Sequence, residues 1–287
     1  MWIIYSLLTA VSLATSDALT KKALVSRDEY FVAWIRLLFA LPVLLASMLF
    51  IEIPSLDKTF WLATMCALPL EIAAIILYTK ALKVSPISLT MPFLALTPVF
   101  LIVMSNIILE EKVSVYGGGG IILMALGSYS LNIHMIRENV LEPVKAIFRE
   151  KGCVMMIAVA FIFSITAPLG KVAIEHSSPF FFGSFYFVLV TLFFTPIALK
   201  MNQGKIIFTR KDIAPLTSIG ITYSMMIIFH MLAISLSNVA YMISIKRTSL
   251  LFSILYGHFL FRERNIAEKI VGCILMLAGF AMIIFSN

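Results

Sequence analysis

The sequence predicts an all-α integral membrane protein of ten transmembrane helices arranged as two inverted five-helix repeats. Three observations carry this: a strongly apolar composition, ten separated apolar runs of spanning length, and a chain that repeats itself at an offset near 150 residues. Of 287 residues, 61% are apolar and 13% charged, and the mean hydropathy is +1.02. A soluble domain carries roughly 25% charged residues. Half that leaves an apolar outer surface, which is stable only with lipid as solvent.

A helical span needs about 20 largely apolar residues. Ten segments fit, at about 2–20, 30–51, 59–79, 86–109, 113–134, 152–174, 179–199, 213–234, 238–261 and 266–286. The first begins at Met1 without a basic n-region and reads on as a full span, so no cleavable signal peptide is expected. Nothing has the alternating pattern of a membrane β-barrel, and an open sheet cannot cross a bilayer. Most connections are short and turn on Ser or Pro, as at Val84-Ser85-Pro86 and Ser177-Ser178-Pro179. The polar stretch Met135–Lys151 interleaves charges with Val140, Leu141, Ile147 and Phe148, the pattern of a short helix lying at the membrane interface. It divides the chain into a first repeat, 1–134, a linker, 135–151, and a second repeat, 152–287.

The repeat is visible residue by residue. Leu109-Glu110-Glu111-Lys112 followed by Gly120-Ile-Ile-Leu-Met-Ala-Leu-Gly127 returns 152 residues later as Phe261-Arg262-Glu263-Arg264 and Gly272-Cys-Ile-Leu-Met-Leu-Ala-Gly279. Leu19–Leu24 returns at an offset of 150 as Leu169–Ile174, and Ala81-Leu82 returns as Ala233-Ile234. Five spans per half is an odd number, so the second half must enter the membrane inverted. Inverted repeats are a recurring plan of secondary transporters, with the solute held near the midplane.

Further residues resemble a known family. A Lys closes the first span of each half (Lys21, Lys171), and Arg36 stands early in the second span. Ala81-Leu82 and Pro92…Pro98 lead into Leu109-Glu110-Glu111 and a Gly-rich fifth span. In order and spacing the chain resembles the drug/metabolite transporter superfamily, in particular its EamA-type ten-span members. The resemblance covers nearly the whole chain and implies a small-solute carrier, often an exporter of amino acids, other metabolites or drugs. It names no single solute.

Lys and Arg are enriched on cytoplasmic loops. Sixteen of the 22 bases fall on the side holding Lys21, Lys22, Arg27, Lys80, Lys83 and the 135–151 linker; Lys58, Lys112 and Lys171 fall on the other. Charge therefore places both termini outside the cytoplasm of a cell (inner) membrane. The resemblance implies the opposite, with both termini inside, but this chain ends in Ile-Ile-Phe-Ser-Asn without a basic tail. The expected orientation is the one given by charge bias, with both termini outside.

Ionisable side chains at mid-membrane are costly and mark functional interiors by default. Glu71, near the centre of the third span, shares a seven-residue register with Thr64 and Tyr78. A carboxylate there suits proton coupling or a cationic group of the solute, with a fixed ion pair as the bland reading. Lys246 and Arg247 sit near the middle of the ninth span and point about 100° apart, so one can bind solute while the other pairs with Glu71 or Asp17. Arg36 suits an ion pair as well as a site. Asp17, in a polar stripe with Ser12, Thr15 and Ser16, either lines the cavity or pairs with Lys21 one turn on. His230, on one face with Tyr223, either titrates or is simply hydrogen-bonded; His258, nearer a span end, reads as structural. Three buried bases against two acids lean the cavity toward zwitterionic or anionic solutes.

Other features read as structural. Gly120/Gly127 and Gly272/Gly279 each set two glycines seven residues apart, a face for close helix packing in lipid. The pattern is similar to the dimerisation helix of small multidrug resistance proteins. Gly117–Gly120 eases the entry of the fifth span, since no P-loop Lys-Ser/Thr follows. Pro92, Pro98, Pro168 and Pro196 lie inside spans, where they kink helices or are tolerated by neighbours. Cys66, Cys153 and Cys273 lack metal or redox spacing and read as buried packing. No metal, cofactor or nucleic-acid partner is expected. The expected partners are a small-molecule solute and the lipid bilayer, for a monomer or homodimer. Rival readings are a flippase for a lipid-linked substrate, a non-transporting sensor and a membrane-embedded enzyme. No HExxH, nucleophile elbow or Walker motif supports catalysis or ATP-driven transport.

Overall fold

The computed structural model describes residues 1–49, 51–85, 90–130, 150–202, 210–261 and 266–286. These are helical throughout, with no strand among them. The first half comprises α1 (Trp2–Leu24), α2 (Glu29–Leu38), α3 (Leu41–Met48), α4 (Lys58–Val84), a 3-10 turn (Met91–Ala95), α5 (Leu96–Leu109) and α6 (Val115–Ser130). The second comprises α7 (Lys151–Glu175), α8 (Pro179–Met201), α9 (Arg210–Ser235), α10 (Val239–Lys246), α11 (Ser249–Phe261) and α12 (Ile266–Phe285). The expected interfacial helix at 135–151, apart from its last two residues, lies outside the described residues, as do Pro86 and Glu263 and the side chain of His258.

Seven helical stretches are long and apolar enough to cross a membrane: Trp2–Leu24, Glu29–Met48, Lys58–Val84, Met91–Leu109, Lys151–Glu175, Pro179–Met201 and Ile213–Ser235. The chain is a multi-pass membrane protein. Among the described residues, the fifth expected span is represented by the 16 residues of α6, the ninth is divided into helices of 8 and 13 residues, and the tenth by α12, with Val271–Phe285 a shorter apolar stretch.

Helix starts follow local chemistry. Asp28, Asp57, Ser178 and Asn238 each accept a hydrogen bond from a backbone N–H in the first turn of the following helix, the N-cap arrangement that satisfies otherwise orphaned donors. Asp28 and Ser178 occupy equivalent places in the two halves. α5 ends on Glu110, the one non-glycine residue at positive φ (56°) among those described, which turns the chain so that Glu111 faces back into the molecule.

The halves interlock. α1 packs along α9 and α4 along α7, each a first helix of one half against a third of the other. Equivalent helices run antiparallel: Trp34 donates to Thr195 Oγ1 (3.0 Å) while Ser47 meets Ser184 Oγ (3.0 Å), so α2–α3 and α8 lie head to tail. α6 and α12 do the same. A Cβ on Gly120 would stand 2.8 Å from Gly279 O, and one on Gly127 2.8 Å from Gly272 O and 2.7 Å from Met276 N. Backbone therefore meets backbone along this seam, which only glycine permits. α2 and α3 are separated at Phe39, over which α9 passes so closely that a Cβ on Gly220 would lie 2.5 Å from Phe39 O.

Long-range contacts define two ends of the bundle. His176 with Asp57 (2.8 Å), Tyr5 stacked on Phe229, and Ile283 beside Gly120 gather both chain termini at one end, the terminus end. Lys83 with Glu29, and Ser85 donating to Glu150 (2.8 Å), mark the opposite, linker end. Pro168 and Pro196 sit within unbroken helices, as do Pro69 and Pro215; Pro92 lies in the 3-10 turn and Pro98 in the first turn of α5. Cys66 corrects an expectation: it is exposed on α4 rather than packed inside, whereas Cys153 is buried. Gly117 gives room to the Tyr241 ring, whose hydroxyl accepts from Ser114 N (2.9 Å) at the start of α6.

Candidate functional site

Between the two halves lies a cavity of about 1110 Å³, its mouth included, walled by α1, α2, α4, α7, α8, α9, α10 and the 3-10 turn. Its surface is mainly apolar, with a few convergent polar groups, the usual make-up of a small-molecule site. Arg36, Glu71, Tyr78, His230, Lys246 and Arg247 all lie on its wall. Asp17 and Thr64 do not: Asp17 sits 1% exposed behind the wall, and Thr64 is fully buried with its hydroxyl unpartnered.

Toward the linker end the charges are closed on one another. Arg36 donates to Asp17 Oδ1 at 3.0 Å and Tyr78 donates to Asp17 Oδ2 at 2.6 Å. The Arg36 guanidinium also lies 4.0 Å from the centre of the Tyr223 ring, within cation–π range. The carboxylate thus has partners on both oxygens, and neither is the Lys21 one turn on. Lys21 reaches instead to the carbonyls of Leu82 and, at 3.0 Å, Ser85. A helix can present Asp17 and Lys21 on one face, but α2 and α4 bring better-buried donors to the carboxylate.

Toward the terminus end the picture differs. Lys246 closes the last turn of α10 and has no hydrogen bond or ion pair among the described residues. It shares the cavity wall with Glu71 of α4 and Thr166 of α7. Arg247 stands at the break between α10 and α11 and donates from a terminal nitrogen to Thr97 Oγ1 at 2.9 Å, rather than to Glu71 or Asp17. Thr97 opens α5, just past the 3-10 turn, so one bond joins the broken helices of both halves. These breaks fall at matching places in the repeat: Arg247 corresponds, 152 residues earlier, to Ala95. Broken helices of this kind line midplane sites in inverted-repeat carriers.

Four buried polar atoms on the cavity wall lack a hydrogen-bond partner: Arg36 Nε, Arg247 Nε, Tyr186 Oη and His230 Nδ1. Buried polar groups are ordinarily satisfied, so these four atoms are candidates for contact with a polar ligand. Sequence reasoning missed Thr166 and Tyr186, which line the cavity, and Thr97, which lies off its wall but holds Arg247. Tyr186 does carry a signal, since it stands at the repeat position of Arg36; likewise Tyr223 matches Glu71, and His230 matches Tyr78. Three repeat-related pairs therefore face one cavity. The described residues contain no group of three His, Cys, Asp or Glu able to hold a metal ion.

The EamA-like transporter family profile matches residues 1–133 and 150–285. The chain belongs to the EamA-like transporter family. Its two-repeat architecture and helical membrane character are those of the family, whose members are transporters. A crystal structure of another protein superposes on this EamA-like chain with a TM-score of 0.76 at 13% sequence identity, covering 99% of this chain and 97% of that one. At that identity the likeness concerns the fold. No curated protein matches the sequence.

Proposed function

We propose that this EamA-like protein is a secondary-active carrier, an exporter or exchanger, of a small zwitterionic or anionic metabolite such as an amino acid. The observation that carries the reading is Lys246, which has no hydrogen-bond or ion-pair partner among the described residues and lies on the wall of a cavity shared by both repeats. With Arg36 and Asp17 neutralising each other, Lys246 and Arg247 stand against Glu71, an excess of one positive charge. An anionic group of the solute meets Lys246 and the open Nε of Arg247. A solute ammonium meets Glu71, which is also the candidate for carrying a coupled proton.

Ten spans in two inverted repeats suit alternating access, in which the halves rock around the cavity while α6 and α12 brace the outside. In a cell (inner) membrane the linker end, rich in Lys21, Lys22, Arg27, Lys80, Lys83 and Lys151, faces the cytoplasm and the termini face outward. A reporter fused to the C-terminus tests that orientation, and a cytoplasmic signal reverses it. The deciding experiment is purified protein in liposomes, challenged with a labelled metabolite panel with and without a pH gradient. Flux of zwitterions or anions that is lost in Lys246→Met supports the reading. Activity only on lipid-linked substrates replaces it with a flippase, and no flux of any solute with a folded protein rejects transport.

A further inference from the structure

At the terminus end, three elements meet on one carboxylate. Glu111, just past the end of α5, accepts from Lys171 Nζ of α7 at 2.5 Å and from the backbone N–H of Val239, the first residue of α10, at 2.9 Å. Lys171 donates a second bond to the carbonyl of Ser237 at 2.8 Å, in the turn between α9 and α10. The two side chains are 12% and 14% exposed, so water weakens the pair little. Glu111 belongs to the first half and every partner to the second.

The position of this knot relates it to the cavity. Lys171 lies between Gly170 and Ile174, both on the cavity wall; Ser237 follows Ile234, and Val239 precedes Ile243, also on the wall. The knot therefore draws together the ends of α7, α9 and α10 just beyond the cavity. Lys21, the repeat equivalent of Lys171, makes the matching bond at the opposite end, to the carbonyl of Ser85, the repeat equivalent of Ser237. The same lysine-to-carbonyl clasp thus stands at each end of the molecule.

We infer that Glu111 and Lys171 form the gate that closes the cavity at the terminus end, with the Lys21 clasp as its counterpart at the linker end. The inference rests on the carrier reading and adds to it the contacts that must break for one-sided opening. In the present arrangement both clasps are made. Opening toward the termini separates Glu111 from Lys171 and Val239. This frees the ends of α7 and α10, the helices that bring Thr166 and Lys246 to the cavity.

The test reads access, with no need to know the solute. Ala167, on the cavity wall, becomes a reporter as Ala167→Cys in a protein whose Cys66, Cys153 and Cys273 are replaced by Ala. A membrane-impermeant thiol reagent is then applied from either side of oriented vesicles. Glu111→Gln and Lys171→Met should raise labelling from the terminus side by roughly tenfold, the scale set by one hydrogen bond to a charged group. Lys171→Arg should stay near the parent, and Lys21→Met should favour the linker side instead. Equal gains from both sides, or no change in either variant, overturn the gate and leave the carrier reading standing. No labelling from either side in any variant overturns both.

Discussion

The two ends of the cavity hold similar charges in different states. Near the linker end Arg36 and Tyr78 both donate to Asp17, at 3.0 and 2.6 Å, with an aromatic face over the guanidinium. Nearer the terminus end, among the described residues, Lys246 has no such partner and the Arg247 side chain donates to the neutral hydroxyl of Thr97. A buried pair of the first kind is mostly architecture, because removing either member strands the other. A buried charge of the second kind costs stability as it stands, so its presence points to a ligand. Position in the membrane alone does not separate the two; partnership does.

Substitutions can break this contrast. The largest effect is expected from Asp17→Ala, which leaves Arg36 buried and unpaired and should cost about 3–5 kcal/mol, read as thermal unfolding in detergent. If Asp17→Ala unfolds like the parent, the linker-end cluster is not structural. Lys246→Met should behave oppositely. Its unfolding temperature should hold or rise, since an unpaired ammonium is replaced by an apolar chain of similar length. Flux in liposomes should fall by roughly tenfold or more, the loss of one charged hydrogen bond to solute. A Lys246→Met protein that transports normally removes Lys246 from the site.

The smallest effect concerns Asp57, outside the helical span it caps. Its bond from Phe60 N, with a lesser contribution from His176, holds its carboxyl below its ordinary pKa, while its slight desolvation opposes this. Stabilisation by a depressed carboxyl is fully present above its unfolded pKa and fades as pH falls through the folded one. The gap in unfolding temperature between the parent and Asp57→Asn should therefore be small near neutral pH and close under acidic conditions. A gap that widens on acidification contradicts the assignment.

Much of this was legible in the chain. The apolar runs located the helices, because spanning length and backbone satisfaction in lipid leave few alternatives. The repeated Gly pairs pointed to a close seam, and the structure sets Gly120 against Gly279 and Gly127 against Gly272. What the chain did not show were choices among partners. Asp17 has an attractive neighbour in Lys21, and only the packing of α2 and α4 shows that Arg36 and Tyr78 reach it first. Thr97 is an ordinary threonine in an apolar run until α10 breaks beside it. The break itself is quiet in the sequence, since neither Gly nor Pro marks Arg247-Thr248.

The antiparallel interlocking of the halves has a consequence for how such a chain can be made or divided. α1, α4 and α6 each lie against a helix from the other side of the linker, so a single repeat leaves its main contact faces uncovered. A single repeat is therefore not a self-sufficient packing unit. By the same logic, the halves severed within the linker should assemble only when synthesised together.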